Sequence, residues 1–174
     1  MASPNHLPEL DSKHLRLLPL FPLPNVVFFP RMRMPLHVFE PRYRQLVDDA
    51  VENDLPIAIP LLKPGFEDDY QNSPAIHDVA GAGWIVDHQP MPDGRSLITV
   101  QGVQRVRILD ERPSDAQYRL AHAEVVDTRY PDDRASVAQH AEQLRSLALS
   151  LLMNAPDEAG PLKDLVKVAD RPEI

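Results

Sequence analysis

Residues 17–51, LLPLFPLPNVVFFPRMRMPLHVFEPRYRQLVDDAV, decide the fold of this chain. Prolines cut the first half of this stretch into apolar pieces rich in Leu, Val and Phe, each too short for a helix. Because proline lacks a backbone N–H, such breaks belong at strand starts, bulges or sheet edges. The pattern therefore predicts short buried strands or extended segments, with strands at 15–21 and 33–39.

After Phe39 the apolar residues change to a helical spacing. One helix face is formed by residues at i, i+3, i+4, i+7 and i+8, namely Tyr43, Leu46, Val47, Ala50 and Val51. A helix is therefore predicted over about 41–53, with Pro41 in its first turn. Glu40 is expected to accept hydrogen bonds from the free amides there, and Asn53 with Asp54 should end the helix.

Short apolar strands continue downstream of this helix. The strand at 57–62 contains Pro60, which indicates an edge strand or a bulge. The acidic segment 63–75, KPGFEDDYQNSPA, predicts an exposed loop. Further strands are predicted at 79–91, 96–112 and 118–129.

Glycines mark special backbone positions in these strands. Gly81 and Gly83 predict a bulge or the close approach of another backbone, and Gly102 is expected to interrupt the long strand. In the turn Pro92-Asp93-Gly94-Arg95, Gly94 should supply a positive φ.

The composition divides the chain into three segments. Residues 1–13 are polar and patternless, so a flexible tail is expected. Residues 14–131 form the β domain. Residues 132–174 are predicted to be helical, with Asp132 or Asp133 as N-cap and a second helix from Pro161. The chain stops at DRPEI, where we expect this helical segment to be truncated. The predicted fold class is mainly β with flanking helices (α+β), a small bent barrel followed by a C-terminal helical part.

The length and the cysteine count limit the class of protein. At 174 residues the chain has the size of one domain with a small appendage. The absence of cysteine removes disulfides, zinc–thiolate sites and thiol nucleophiles together. No apolar run approaches the roughly 18 residues of a membrane span, and the N-terminus does not resemble a signal peptide. We expect a soluble, cytoplasmic protein with no membrane partner.

The net charge of −8 disfavours a nucleic-acid partner, because such binding depends on clustered Lys and Arg. The charge is unevenly placed, however. Two basic runs stand out, Arg31, Arg33, Arg42 and Arg44 in the first and Arg105, Arg107 and Arg112 in the second. Parity along the long strand turns Arg105 and Arg107 away from the core. Solvated faces explain such runs more often than ligand sites do.

The sequence offers no catalytic or metal-binding constellation. It has no G-x-x-x-x-G-K-[ST] motif, and no serine or lysine lies in a recognisable nucleophile setting. The seven histidines form no H-x-x-x-H pair, and His37 with Glu40 makes only a weak H-x-x-E. The prediction is a protein that is not an enzyme, with no catalytic residues, no metal and no cofactor.

LPLFPLPNVVFFP followed by PLHVFEPRYRQLVDDA resembles the opening of the Lon peptidase N-terminal domain, also called the Lon substrate-binding domain. The resemblance continues at 93–108, DGRSLITVQGVQRVRI, where the family has a DG turn and a strand carrying G-x-x-R. It covers about residues 14–130. The segment from His37 to Tyr43, HVFEPRY, is more similar to the stand-alone and eukaryotic branch than to the domain fused to bacterial Lon ATPases. Arg31 stands where many relatives carry glycine, which argues against a positive φ there. The family implies a PUA-like pseudo-barrel followed by a helical part.

Most family-motif residues are expected to be structural; they are His37, Phe39, Glu40, Pro41, Arg42, Tyr43, Gly94, Gly102 and Arg105. His37 should pack beside the barrel with a hydrogen bond to the start of the helix. The segment from Glu40 to Tyr43 should cap the helix and form an ion pair that fixes it on the barrel. The alternative for this segment is the rim of a binding groove.

The resemblance implies an ATP-independent protein- or peptide-binding module that holds extended or unfolded segments, or a partner protein, in a shallow apolar groove. The lining is predicted to include Val26, Phe28, Phe29 and Met32, with Phe66 and Tyr70 from the acidic loop. The alternative is that Phe28 and Phe29 are barrel core.

Other interpretations stay open. Trp84 is expected in the core, with an interface anchor as the alternative. The alternative functions are RNA binding and an uncharacterised regulatory or adaptor role. A continuous basic groove joining the arginines would favour RNA, and an apolar groove with a polar rim would favour peptide.

Overall fold

A computed structural model describes residues 7–69, 73–127 and 132–153. The chain divides into two compact units, Met1–Asp127 and Thr128–Ile174. The predicted helix from Pro161 and the loop residue Tyr70 lie outside the described residues. Among the described residues, no helix has the length and apolarity needed to cross a membrane.

The first unit contains six strands and its helices; in chain order they are α1 (Ser12–Arg16), β1 (Leu18–Leu20), β2 (Arg33–Val38), α2 (Pro41–Glu52), β3 (Ile57–Ile59), a 3₁₀ turn (Phe66–Asp69), β4 (Val79–Pro90), β5 (Ser96–Arg112) and β6 (Arg119–Val125). The second unit contributes α3 (Arg134–Met153), where the amide of Ser136 donates to the Asp133 carboxylate.

The strands form a barrel. Their order is β2-β5-β4-β3-β1-β6, and β5 also pairs with β6, so β1, β3, β4, β5 and β6 close into a ring. At 17 residues β5 is long enough to hold two partners on one edge, β2 along its first half and β6 along its second. β4 covers the opposite edge. Because the ring is closed, each of its strands is paired on both edges, and β2 is an additional strand outside the ring.

Two apolar cores lie on the two faces of the sheet. The first joins α2 to residues such as Val38, Ile57 and Ile59, and the second contains Ala58, Trp84 and the alanines of β4 and β6. β3 is therefore buried on both faces, as strands covered on both sides are. The prediction of an edge strand or a bulge at 57–62 is wrong, because β3 lies between β1 and β4 and Pro60 follows its last residue.

α2 buries four of the five residues of its predicted face, Tyr43, Leu46, Val47 and Ala50. The fifth, Val51, is exposed. The predicted cap is wrong in one respect, because the Glu40 side chain makes no capping hydrogen bond. Pro41 removes one amide, and the amides of Tyr43 and Arg44 already donate to the Glu40 carbonyl at 3.0 and 2.9 Å. The Glu40 carboxylate instead pairs with Arg42 at 2.9 Å.

The N-terminal segment is not a loose tail from residue 7 onward, which corrects the prediction for 1–13. The Trp84 indole Nε1 donates to the Pro8 carbonyl at 2.8 Å, and the Leu10 amide donates to Gln104 Oε1 at 2.6 Å. Leu10 is buried in the second core. Asp11 caps α1, which takes the place of the first part of the strand predicted at 15–21.

The hairpin from β4 to β5 follows the sequence closely. Gly94 has a φ of +78°, as predicted, and the Arg95 amide donates to Asp93 Oδ1 at 3.0 Å. A hydrogen bond from the Arg95 side chain lowers the pKa of the Asp93 carboxyl. The pairing of β4 with β5 shifts in register at Ala82/Gly83, where Ala82 faces Gln104 and Gly83 faces Gly102. The additional residue, Val103, therefore lies in β5 and not in β4 as predicted. β5 continues as one strand through Gly102, and the irregularity expected there is the bulge at the next residue, Val103.

Candidate functional site

The loop of residues 25–32 is hydrogen-bonded to the barrel at its C-terminal end. Asn25 and Arg31 have positive φ angles of 60° and 68°. Asparagine tolerates this conformation, but arginine is strained in it, so the expectation for Arg31 is wrong. The Arg31 amide donates to the Gly102 carbonyl at 2.8 Å, and the Gly102 amide donates to the Met32 carbonyl at 2.9 Å. These two hydrogen bonds hold the left-handed backbone.

Two glycines of the barrel receive this loop. A Cβ placed on Gly81 would lie 2.1 Å from the Phe28 carbonyl oxygen, and one on Gly102 would lie 2.2 Å from that of Phe29. No side chain fits in either space. The close backbone approach predicted for Gly81 is present, and Gly102 makes one as well.

The loop alternates between buried and exposed side chains. Phe28 is 2% exposed and belongs to the first core, whereas Phe29 is 57% exposed and Val27 55%. Met32 is 39% exposed, and Val26 is partly buried against the first core. Phe28 is therefore removed from the predicted lining. Val27 was missed, although its parity with Phe29 in an extended segment was available from the sequence.

The second predicted region does not join this loop in one core. Phe66 is partly buried and packs against the second core, whereas Val26 and Phe28 belong to the first. Tyr70 lies outside the described residues. Of the predicted lining in this loop, the structure presents Phe29 and Met32 to solvent, together with Val27, which was not predicted. We call Val27, Phe29 and Met32 the apolar loop residues.

A cavity of about 490 Å³ opens at the start of α2, lined by Phe39, Glu40, Pro41, Arg42 and Gln117. Besides its pair with Glu40, the Arg42 guanidinium lies 4.7 Å from the centroid of the Tyr43 ring. The Tyr43 ring stacks on Phe21 at 4.1 Å. The residues of the family motif therefore both attach α2 to the barrel and form one wall of a cavity.

His37 does not make the hydrogen bond expected of it. Its side chain is exposed on β2, and its ring centroid lies 5.8 Å from that of Phe39, which is 58% exposed. In the described part of the chain no hydrogen bond joins His37 to the start of α2. The His37 ring and the exposed Phe39 ring therefore lie side by side at the end of β2.

A smaller cleft of about 200 Å³ separates the end of α2 from β4, with Val51, Asp54, Trp84 and Asp87 in its lining. Trp84 is 6% exposed, which places it in the core. Within residues 7–69, 73–127 and 132–153, no group of three or more His, Cys, Asp or Glu is arranged to hold a metal ion.

Acidic residues interrupt the second basic run. Arg107 pairs with Glu124 at 3.6 Å, and Arg112 pairs with Asp110 at 2.9 Å. Such pairs neutralise part of the positive charge that binding to a phosphate backbone requires.

Comparison with known proteins gives the family. The sequence profile of the ATP-dependent protease La (LON) substrate-binding domain matches residues 17–171. The chain belongs to the Lon substrate-binding domain family.

Curated relatives of this Lon substrate-binding domain are full Lon proteases. The Lon protease of Flavobacterium johnsoniae is 26% identical over 159 residues, which cover 90% of this chain and 19% of that protein. Lon protease 2 of Myxococcus xanthus is 26% identical over 172 residues, or 99% of this chain and 20% of that protein. The chain thus spans about a fifth of the length of these relatives, and the match lies in the substrate-binding domain.

Solved structures confirm the mainly β fold with flanking helices. A Lon N-terminal domain protein from Xanthomonas campestris is 25% identical, with a TM-score of 0.54 over 73% of this chain and 72% of that one. The N-terminal domain of Mycobacterium avium complex Lon protease has a TM-score of 0.66 at 15% identity, over 87% of this chain and 75% of that one.

Proposed function

We propose that this Lon substrate-binding domain binds extended or unfolded polypeptide, without ATP, through the apolar loop residues. The observation that carries the proposal is the exposure of Phe29 and Val27 on a backbone held by hydrogen bonds and glycine contacts to the barrel. A large aromatic side chain that faces water on an ordered backbone is a typical anchor of an interface.

The energetics support an apolar mode of binding. Burying the exposed half of Phe29 and of Val27 contributes about 2–3 kcal/mol before the costs of association. Because the loop backbone is already fixed, little of that free energy is lost in ordering it. Two apolar anchors of this kind fit a weak, sequence-tolerant contact with unfolded segments.

We propose further that binding involves no hydrolysis. The family match is to the non-catalytic, substrate-binding part of Lon, and the sequence carries no phosphate-binding loop. Purified protein should neither cleave casein nor hydrolyse ATP above a mock preparation. Hydrolytic activity that no substitution in the chain reduces would come from a contaminating enzyme. Hydrolytic activity that substitutions in the chain do reduce would contradict the proposal that binding involves no hydrolysis.

The test is fluorescence anisotropy with a labelled, permanently unfolded protein. A Val27→Ser/Phe29→Ser double variant should weaken binding at least tenfold, about 1.4 kcal/mol. Leu109→Ser is the matched control, because Leu109 is 48% exposed on β5. Binding to the parent should persist from about 50 mM to about 500 mM salt, since apolar burial is not screened. Equal affinities of the double variant and the parent would overturn the apolar mechanism.

A further inference from the structure

β2 lies at an open edge of the sheet. It is a six-residue strand whose partner is β5, and in the described part of the chain no second strand pairs with it. The ring strands each have neighbours on both sides. β2 therefore presents one row of backbone groups away from the barrel, which is the geometry that accepts an additional strand.

The register shows which groups face outward. The Gly102 amide donates to the Met32 carbonyl, and in an antiparallel pair such bonds recur at every second residue. Met34, Leu36 and Val38 therefore bond to β5. Pro35, which has no N–H, falls at a position where none is needed. The outward row consists of the carbonyls of Arg33, Pro35 and His37 and the N–H groups of Arg33 and His37.

We propose that the open edge of β2 is a strand-addition site for an extended polypeptide whose side chains alternate between apolar and acidic. This inference rests on the proposed function and specifies how the polypeptide binds. Backbone hydrogen bonds to the outward row would supply affinity that does not depend on sequence. The side chains of β2 and its neighbours would set the preference.

The two faces of β2 define that preference. Its inward side chains lie in or against the first core, and Leu36 is only partly buried there. Apolar side chains on the inner face of an added strand would extend the core over Leu36. On the outer face, Arg33 is exposed and makes no ion pair within the described ranges. A carboxylate opposite Arg33 would complement its charge.

The apolar loop residues are close to β2 in sequence, because the 25–32 loop directly precedes this strand. At the other end of the strand His37 and the exposed Phe39 are in ring contact. An added strand would thus have apolar surface next to both ends of its backbone ladder.

Pro35 also distinguishes an unfolded segment from a second copy of this chain. In the full-length antiparallel register of two β2 edges, Pro35 would face Pro35, so neither could donate at the centre. Arg33 would face His37, which adds repulsion when the imidazole is protonated. Proline and charge on an edge strand are known protection against self-association. A segment with an N–H opposite Pro35 meets neither obstacle.

Substitutions on the protein test the backbone ladder. His37→Pro removes an outward N–H, and His37→Ala is its matched control because it retains that N–H. Pro35→Ala adds one. With a labelled peptide of alternating Val and Glu, we expect binding to weaken two- to tenfold in His37→Pro relative to His37→Ala, and to tighten by a similar factor in Pro35→Ala. Melting curves establish that each variant is folded, and ultracentrifugation sets the concentration at which Pro35→Ala is monomeric.

Peptide chemistry gives a test that does not depend on folding of a variant. N-methylation of every second peptide residue should abolish binding in one frame and spare it in the other, because only one row of peptide amides faces β2.

Arg33→Glu tests the charge preference. It should weaken binding of the Glu peptide and favour a Lys peptide. Equal effects of the two methylation frames would overturn the edge proposal, as would equal affinities of His37→Pro and His37→Ala.

The same assay separates this proposal from the proposed function. If the unfolded protein binds in a Phe29-dependent manner but the methylation frames behave alike, the edge proposal fails and the proposed function stands. If neither the unfolded protein nor the peptide binds, the proposed function itself fails.

Discussion

The carbonyl oxygen of Phe29 occupies the space where a Cβ on Gly102 would stand, 2.2 Å from that position. This contact joins the loop that exposes Phe29 to the middle of the longest strand of the barrel. The loop therefore owes its position to the absence of a side chain at residue 102. The exposure of Phe29 is a property of the fold and not only of the loop sequence.

Gly102→Ala should displace the 25–32 loop. The new methyl group would collide with a backbone oxygen, which cannot rotate away as the end of a flexible side chain can. We expect a loss of about 1–3 kcal/mol in the free energy of unfolding and weaker binding of the unfolded probe. Leu109→Ala is the control, because Leu109 lies on the same strand and its side chain is 48% exposed. Parent-like stability and binding in Gly102→Ala would show that the loop is not held there.

Arg31→Gly should be more stable than Arg31→Ala, since both variants lack the Arg31 side chain and only alanine keeps a Cβ at a φ of 68°. A left-handed φ costs a residue with a Cβ about 1–2 kcal/mol, and the freedom of glycine in the unfolded chain offsets about 0.5–1 kcal/mol of that difference. A difference of up to about 1 kcal/mol should appear in urea unfolding. At residue 33, which lies in a strand, the order should be reversed, with Arg33→Gly less stable than Arg33→Ala. An Arg31→Gly variant no more stable than Arg31→Ala would contradict the left-handed backbone.

Gly94→Val should cost on the order of 1 kcal/mol or more in stability, because a β-branched residue is strongly disfavoured at the observed φ of +78°. A Cβ there would also lie 1.9 Å from the end of the Arg44 side chain. That side chain is flexible and can move, so the cost should be the same in an Arg44→Ala background. An unchanged thermal midpoint for Gly94→Val would show that the turn adopts another conformation in solution.

The sequence predicted the elements whose signal is local. α2 is a single amphipathic period with Pro41 in its first turn, and β5 begins after the Asp93-Gly94 turn, so the expected bounds agree with those observed to within a residue. Pro60 led to the wrong prediction of an edge strand or a bulge, because the sequence does not distinguish a proline just after a strand from one inside it. Ile57 and Ile59 gave no sign that a neighbour lay on each side.

The candidate site was predicted only in part, for a physical reason. The run of apolar residues around Phe28 and Phe29 indicated more apolar surface than one strand face can bury. Which side chain faces water depends on contacts with Gly81 and Gly102, more than 50 residues away in sequence. Such distant contacts have no signature in local periodicity. The left-handed Arg31 was missed for the same reason, since its partner is Gly102.

Deleting residues 1–10 should expose Trp84, which is the single tryptophan of the chain. Its indole donates to the Pro8 carbonyl, and Leu10 is packed in the same core. We expect a red shift of the fluorescence maximum and a lower melting temperature, because a donor loses its partner and apolar area is exposed. The comparison is with a deletion of residues 1–6, which retains Pro8 and Leu10. An unshifted spectrum in the longer deletion would contradict the contact.

Tyr118 should titrate abnormally late. Its hydroxyl donates to Asp49 Oδ2 at 2.8 Å and so ties the start of β6 to α2. Burial, and then the hydrogen bond to Asp49, raises the pKa of Tyr118 to about 12. The ordinary value is near 10, so the folded state retains the phenol proton over a pH range in which the unfolded chain loses it.

Tyr118 makes the stability of the folded state fall with rising pH, because the folded state holds the phenol proton more tightly. The contribution of Tyr118 to stability is complete below about pH 10 and is lost as the pH rises toward 12. Relative to Tyr118→Phe, the parent should therefore lose stability over that range. Ultraviolet absorbance of tyrosinate should show a late-titrating group that is absent in Tyr118→Phe. In Asp49→Asn the pKa should fall only part of the way, because burial is the larger cause. Simultaneous titration of every tyrosine near pH 10 in the folded parent would contradict the contact between β6 and α2.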